Sequence, residues 1–449
     1  MLRGLACGLL YLAFLILGST APFALTLGYV WVDAFVPQDI GSMVLGAVPV
    51  AMVMGTAAIL LYVLADRRAP PRLRWSTLLT VMMAAWCCVT LLWAVAPHFA
   101  VMDKWSWAFK TVLFSAFIPY VIRSRVQIEA FILVFVFASL IQILPVGVKQ
   151  LVSGGAYGMD HGLILSNSGL SESSTLATVC LMLLPWALWI SRHALMVPQP
   201  RRLRRIGGIG LAVMYLVTSV GTFARTGLIG MAVLAMLVFM ESRRKLVTIV
   251  AIIPVVVALV YFAPPSWTAR MDTIAHYQQD PSAMTRIEVW KWTLRFASTH
   301  PLGGGFNSFI IDTIRIPSLA PGEPAVVQHG RAFHNSFMEV LGEQGFPGLA
   351  IFVALVLGTW VSLKRTARRC RGNPDLAWCE DLAKALGVGL MVLVPCSMFI
   401  GIAFQPFYWY NFALGACLSE YARRASAKPA LVPAPGLFAA LEPALSPAR

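Results

Sequence analysis

FHNSFMEVLGEQGFPGLAIFVALVLGTWVSLKRTARRCR, residues 333–371, runs from polar to apolar to basic within one stretch. A histidine and an asparagine open it, and Glu339 and Glu343 follow on one helical face, being i and i+4. An aliphatic run then leads to "KRTARRCR" at 364–371. A helix needs about 20 mainly apolar residues to cross a bilayer, and Lys and Arg resist translocation. The helix expected near 335–362 therefore starts beside His334 on one side of a membrane and ends at a basic cluster on the cytoplasmic side.

The same punctuation recurs along the chain. "DRRAPPRLR" (66–74), "RSR" (123–125), "RRLRR" (201–205), "SRRK" (242–245) and "ARR" (422–424) separate long apolar runs. Over 449 residues the composition is 58% hydrophobic and 12% charged, about half the charged share of a soluble domain. This specifies a polytopic membrane protein. The net charge of +15 sits in short loops, so it is a topology signal and no nucleic-acid partner is expected. With the clusters inside, spans are expected in pairs near 76–96 and 107–122, 128–148 and 173–190, 206–222 and 226–240, 246–263 and 335–362, and 384–402 and 405–421. A further pair precedes residue 65, where 5–35 reads as one broken helix or two short ones. The fold class is all-α, with about twelve transmembrane helices, both ends cytoplasmic and one large outside loop near 264–333. Residues 1–424 form the membrane domain, and the Ala- and Pro-rich 425–449 reads as a disordered tail. The N-terminus resembles a signal peptide, but Pro22 after Ala21 disfavours cleavage, so it is expected to remain as the first helix. None of the eight cysteines falls in an outside segment, and no disulfide framework is implied.

The outside face carries the chemistry. Of the seven histidines, only His193 falls inside; His98, His161, His276, His300, His329 and His334 fall outside. Arg225, in "TFARTGLIG", breaks the rule that Arg stays inside, at the outer tip of a helical hairpin with almost no loop. Snorkelling to headgroups is the ordinary reading; an anion site is the other, since guanidinium grips phosphate oxygens in a fork and a helix start adds backbone donors. Arg286 lies near the start of a second helix, "DPSAMTRIEVWKWTLRFASTHP" (280–301). There Ile287, Trp290, Leu294 and Ala297 share an apolar face suited to lying on membrane lipid, with Trp290 or Trp292 at headgroup level. "HPLGGGFNSF" puts Gly303, Gly304 and Gly305 where the backbone bends or approaches a ligand closely. His334 fits a capping role or general-base work near neutral pH, and Asn335 stands beside it. Glu339 and Glu343, if buried, need cationic partners such as Arg225 or Lys110. No His-x-x-His, Cys-x-x-Cys or Asp-x-Asp pattern occurs outside, and no G-x-S-x-G elbow, so neither a metal centre, a cofactor nor a serine nucleophile is expected.

"RTGLIGMAVLAM", the R-x3-W before "HPLGGGFNSF", and "HNSFMEVLGEQGFPGLAIF" together resemble the O-antigen ligase and polymerase superfamily, with the core at about 206–362. "LGYVWVDAFVPQ" (27–38) also resembles its subgroup of O-glycosylation ligases associated with exosortase A. The resemblance implies a bundle related to the lipid-dependent glycosyltransferases, in the bacterial inner membrane. It implies a glycan donor carried on undecaprenyl pyrophosphate at the periplasmic face, and lipid A core, a growing glycan or protein as acceptor. It implies inverting, metal-independent transfer, with Arg225 and Arg286 on the pyrophosphate and His334 catalytic. Gly303 to Gly305 would let the loop close over a sugar, and Glu343 would orient His334 or an arginine. Ala224 departs from the pattern, where relatives carry serine. Ligase is preferred over polymerase; the reading from another class is a transporter of polysaccharide or lipid-linked sugar.

Overall fold

The computed structural model describes residues 2–40, 45–46, 48–68, 70–153, 170–197, 200–242, 244–250, 281–316 and 325–427, with Ile253 and Val257. Much of the expected span 246–263, the loop 264–280 with His276, the link carrying His161, and 428–449 lie outside the described residues.

Helices dominate. In chain order they are α1 (Leu2–Gly18), α2 (Pro22–Phe35), α3 (Pro37–Ile40), α4 (Val50–Ala65), α5 (Trp75–Val89), α6 (His98–Val121), α7 (Arg125–Ser153), α8 (Ser173–His193), α9 (Arg201–Gly221), α10 (Arg225–Glu241), α11 (Pro281–Thr299), α12 (Ser336–Cys370), α13 (Ala377–Cys396) and α14 (Pro406–Ala427). The N-terminal stretch forms two helices, because Pro22 cannot continue α1 and instead begins α2. α6 starts at His98 rather than near 107, so Lys104 belongs to a helix, not to the outside link.

Twelve spans were expected. Among the described residues four helical stretches are long and apolar enough to cross a membrane: Trp75–Trp93, Ser173–His193, Arg201–Gly221 and Ser336–Cys370. A bent pair, Arg125–Ile141 and Ile143–Val152, makes a fifth. Gly4–Gly18, Pro22–Phe35 and Val50–Ala65 are apolar but shorter. Large apolar side chains are exposed on many of the helices, Leu9, Ile16, Val63, Leu64 and Ile206 among them. A multi-pass membrane protein buries such a surface in lipid rather than in a core.

α8 is the axis of the bundle. It is apolar on every side and buried on nearly all of them, as expected for a helix enclosed by others. Small residues allow the close approach typical of helices in lipid: a Cβ on Gly208 of α9 would strike Ser191, and one on Gly230 of α10 would strike Leu181 and the Cys396 sulfur.

One element departs from all-α. Between α11 and α12, β1 (Thr313–Ile316) and β2 (Val326–His329) pair antiparallel, with Thr313 opposite His329 and Ile316 opposite Val326. Ile314 and Ile316 pack with Val289 of α11 and Phe333 in a small separate core. This pairing sets the orientation of α11. Its face toward the protein is Thr285, Val289, Thr293, Phe296 and Ala297, while Leu294, of the set read as lying on lipid, is exposed. Thr293 is buried with its hydroxyl donating to the Val289 carbonyl at 2.8 Å, a polar residue disguised as core. Ile287 and Trp290 are left half-buried, and both line a cavity.

Candidate functional site

The α9–α10 hairpin is tight because Phe223 adopts a left-handed conformation, φ 54°, while the Thr222 hydroxyl accepts from the Ala224 N–H at 3.2 Å. Ala224 is the N-cap of α10 and offers no side-chain cap, so Arg225 occupies the first helical position. Across from it, near the start of α11, stands Arg286. The two arginines line one cavity of about 390 Å³, whose wall includes Ser174, Thr226, Trp290 and Phe399. Two guanidiniums at the starts of two helices make this an anion-seeking pocket.

His334 borders that pocket without lining it. Its φ is 44°, a conformation that non-glycine side chains rarely hold. Flanking contacts impose it. The Trp290 indole N–H donates to the Phe333 carbonyl at 2.9 Å, and Asn335 caps α12, its side chain accepting from the Phe337 and Met338 N–H groups at 2.9 and 3.2 Å. Next along, the Ser336 hydroxyl donates to the Ile400 carbonyl and accepts from the Ile402 N–H, at 2.8 and 2.9 Å. Capping is thus Asn335's task, which frees the imidazole of His334. Partial burial, then the Arg286 and Arg331 guanidiniums, hold its pKa below the ordinary 6.5, with Glu339 pulling the other way. At neutral pH the ring is uncharged and able to accept a proton.

Glu339 and Glu343 do share a face, and both are buried. Their partner is neither Arg225 nor Lys110. Lys104 of α6 reaches both carboxylates, at 2.6 Å to Glu339 and 2.7 Å to Glu343. Glu339 also accepts from the Ala403 N–H at 3.1 Å, and Glu343 from the Asn307 N–H at 2.9 Å. Lys110 faces elsewhere, lining a second cavity with Asp33. Val101, Lys104, Ala108, Thr111, Ser115 and Ile118 recur at helical spacing and all are buried. Treating "PHFAVMDKWS" as a loop cut that pattern short.

The three glycines also have a task other than closing over a sugar. α12 breaks at Gly345, φ 67° and ψ −168°. Pro347 has no N–H, so the Glu343 carbonyl loses its helical donor. The Gly305 N–H supplies one at 2.9 Å, and the Gly304 N–H donates to the Gly342 carbonyl at 2.9 Å. In return Phe346 N–H donates to the Pro301 carbonyl at 2.9 Å. The backbones touch: a Cβ on Gly303 would lie 2.5 Å from the Glu343 carbonyl oxygen, and one on Gly345 only 2.4 Å from the Gly303 nitrogen. The glycine run is a splint on a broken helix.

Two other outside histidines have local partners. His300 stacks on Phe296, ring centroids 4.2 Å apart, and His329 meets the Thr313 hydroxyl at 3.0 Å. Among the described residues no three His, Cys, Asp or Glu side chains converge on a metal-sized site.

Two families match the chain. Residues 2–195 match a family of unknown function, and residues 210–353 match the family described as O-Antigen ligase. No curated protein matches it. The second stretch holds Arg225, Arg286, the glycine run, His334 and both glutamates. Residues 210–353 thus form a domain of the O-antigen ligase family.

Proposed function

We propose that the protein transfers a glycan from an undecaprenyl pyrophosphate carrier to an acceptor hydroxyl, at the periplasmic face of the bacterial inner membrane. The observation that carries this reading is the joint lining of one cavity by Arg225 and Arg286, with an uncharged His334 beside Arg286. Pyrophosphate leaves with its charge increasing as the bond from the anomeric carbon to oxygen breaks. Preorganised cations stabilise that charge, and no general acid is needed. The acceptor oxygen attacks from the opposite face, inverting the anomeric centre, and its proton passes to the His334 imidazole. Trp290 holds the histidine backbone and Asn335 secures the helix start, so the base is positioned before substrate arrives.

The test is transfer by purified protein from carrier-linked glycan to added acceptors, with cells examined in parallel. His334→Ala is expected to lower turnover about 10²–10⁴-fold, with carrier-linked glycan still reaching the periplasm. Normal product from that variant would sink the assignment, and carrier-linked glycan stranded in the cytoplasmic leaflet would favour the transporter reading. Growth of product without added acceptor would identify a polymerase.

A further inference from the structure

A second cavity, of about 690 Å³, adjoins the same end of α8 as the arginine pocket. Ser174 lines the first cavity, while Ser171, Glu172 and Thr175 line the second. The chemistry changes sign between them. Asp33, Asp103 and Glu172 face the second cavity, with Lys110 as its cation. Asp103, Trp107 and Lys110 stand at i, i+4 and i+7 on α6, presenting one face to it. The Trp107 ring is 37% exposed. Gln38 and Gln405 also line it, and the Oε1 atom of each lacks a hydrogen-bond partner among the described residues.

We propose that this second cavity is the acceptor site, and that it takes the hydroxyl-rich, unphosphorylated end of a glycan. The inference rests on the transferase reading. Carboxylates repel the donor's pyrophosphate, so the two cavities sort donor from acceptor by charge. Carboxylate and carboxamide oxygens accept from sugar hydroxyls, and an exposed indole offers an apolar face to a sugar ring. Glu172 stands between the cavities, at the start of α8, where it accepts from the Thr175 hydroxyl at 3.1 Å and feels the charge of both Arg286 and Glu339. An acceptor held here lies against the same start of α8 that borders the arginine cavity. Every residue lining the second cavity falls at 29–175 or 405–407, whereas the O-antigen ligase match covers 210–353. Donor chemistry thus belongs to the ligase segment, and acceptor choice to the segment of unassigned function.

The experiment uses purified full-length protein, carrier-linked glycan, and two acceptor probes: oligosaccharides released from the host envelope by mild acid, and a Ser/Thr-rich peptide. Trp107→Ala and Asp103→Asn are expected to raise the oligosaccharide KM about tenfold while the donor KM stays within about twofold, the signature of a lost acceptor contact. Asp103→Lys is expected to improve use of phosphorylated oligosaccharides over neutral ones by about tenfold, a gain that misfolding cannot produce. Wild-type transfer to oligosaccharide with KM unmoved in all three variants overturns the acceptor site alone. Transfer to the peptide only overturns the glycan assignment, and transfer to neither probe overturns the transferase reading itself.

Discussion

His334 sits at φ 44°, held there by the Trp290 bond to Phe333 on one side and the Asn335 cap on the other. Strain of this kind, of order 1–3 kcal/mol, persists where the surroundings over-determine it. On the proposed mechanism it aims a base. Because burial and Arg286 depress its pKa, the neutral ring persists to lower pH than a free imidazole. The acid limb of kcat/KM is therefore expected below pH 6.5, and Arg286→Met is expected to move that limb to higher pH while lowering the rate. A limb unmoved by the substitution in a full pH–rate profile would assign it to another group. Arg225 and His334 stand out in the sequence because each interrupts a pattern, a charge at an outer tip and a ring at a helix mouth, whereas Arg286 stands out only through the family resemblance. Lys104 does not stand out. It continues a pattern, occupying a buried helical position where apolar periodicity has no means of expecting an ammonium.

At the scale of the element, the long helix that decides the fold is two helices splinted by glycines. Gly303→Ala and Gly345→Ala both add a Cβ within 2.5 Å of backbone at positive φ. Each is expected to cost about 2 kcal/mol or more, read as a lowered thermal midpoint in detergent. Gly387→Ala, inside α13 with open space around the new methyl, is expected to be neutral or to stabilise by up to about 1 kcal/mol. Equal losses in all three would show that the splint contributes nothing. Hydropathy located α12 well but missed its break, because φ is set by tertiary contact, not by composition. Pro347 was the visible hint: a helix interior proline orphans a carbonyl four residues back. Similarly, β1 and β2 are four residues each, too short for alternation to stand out, and the packing of Ile314 and Ile316 with Val289 of α11 follows from that pairing.

Across the whole molecule, charge clusters marked helix ends reliably, since 201–205 opens α9 and 364–370 closes α12. The count of spans was less legible, as several apolar helices are shorter than a bilayer is thick. Holding this assembly together is Lys104, a buried ammonium between two buried carboxylates. Lys104→Met leaves both acids uncompensated, and is expected to cost about 3–5 kcal/mol. The triple variant with Glu339→Gln and Glu343→Gln removes the imbalance and is expected to regain most of the loss. Denaturation of the single and triple variants in the same detergent checks this, and a triple no more stable than the single would show that the charges are not the cause. The cluster has a bearing on descent as well. Its cation lies in 2–195 and its anions in 210–353, the two segments matched by different families. Recombination that swapped one segment for a homologue lacking the matching charge would strand an ion inside the fold. The two segments are thus yoked in inheritance: a change of charge in one has to be matched in the other.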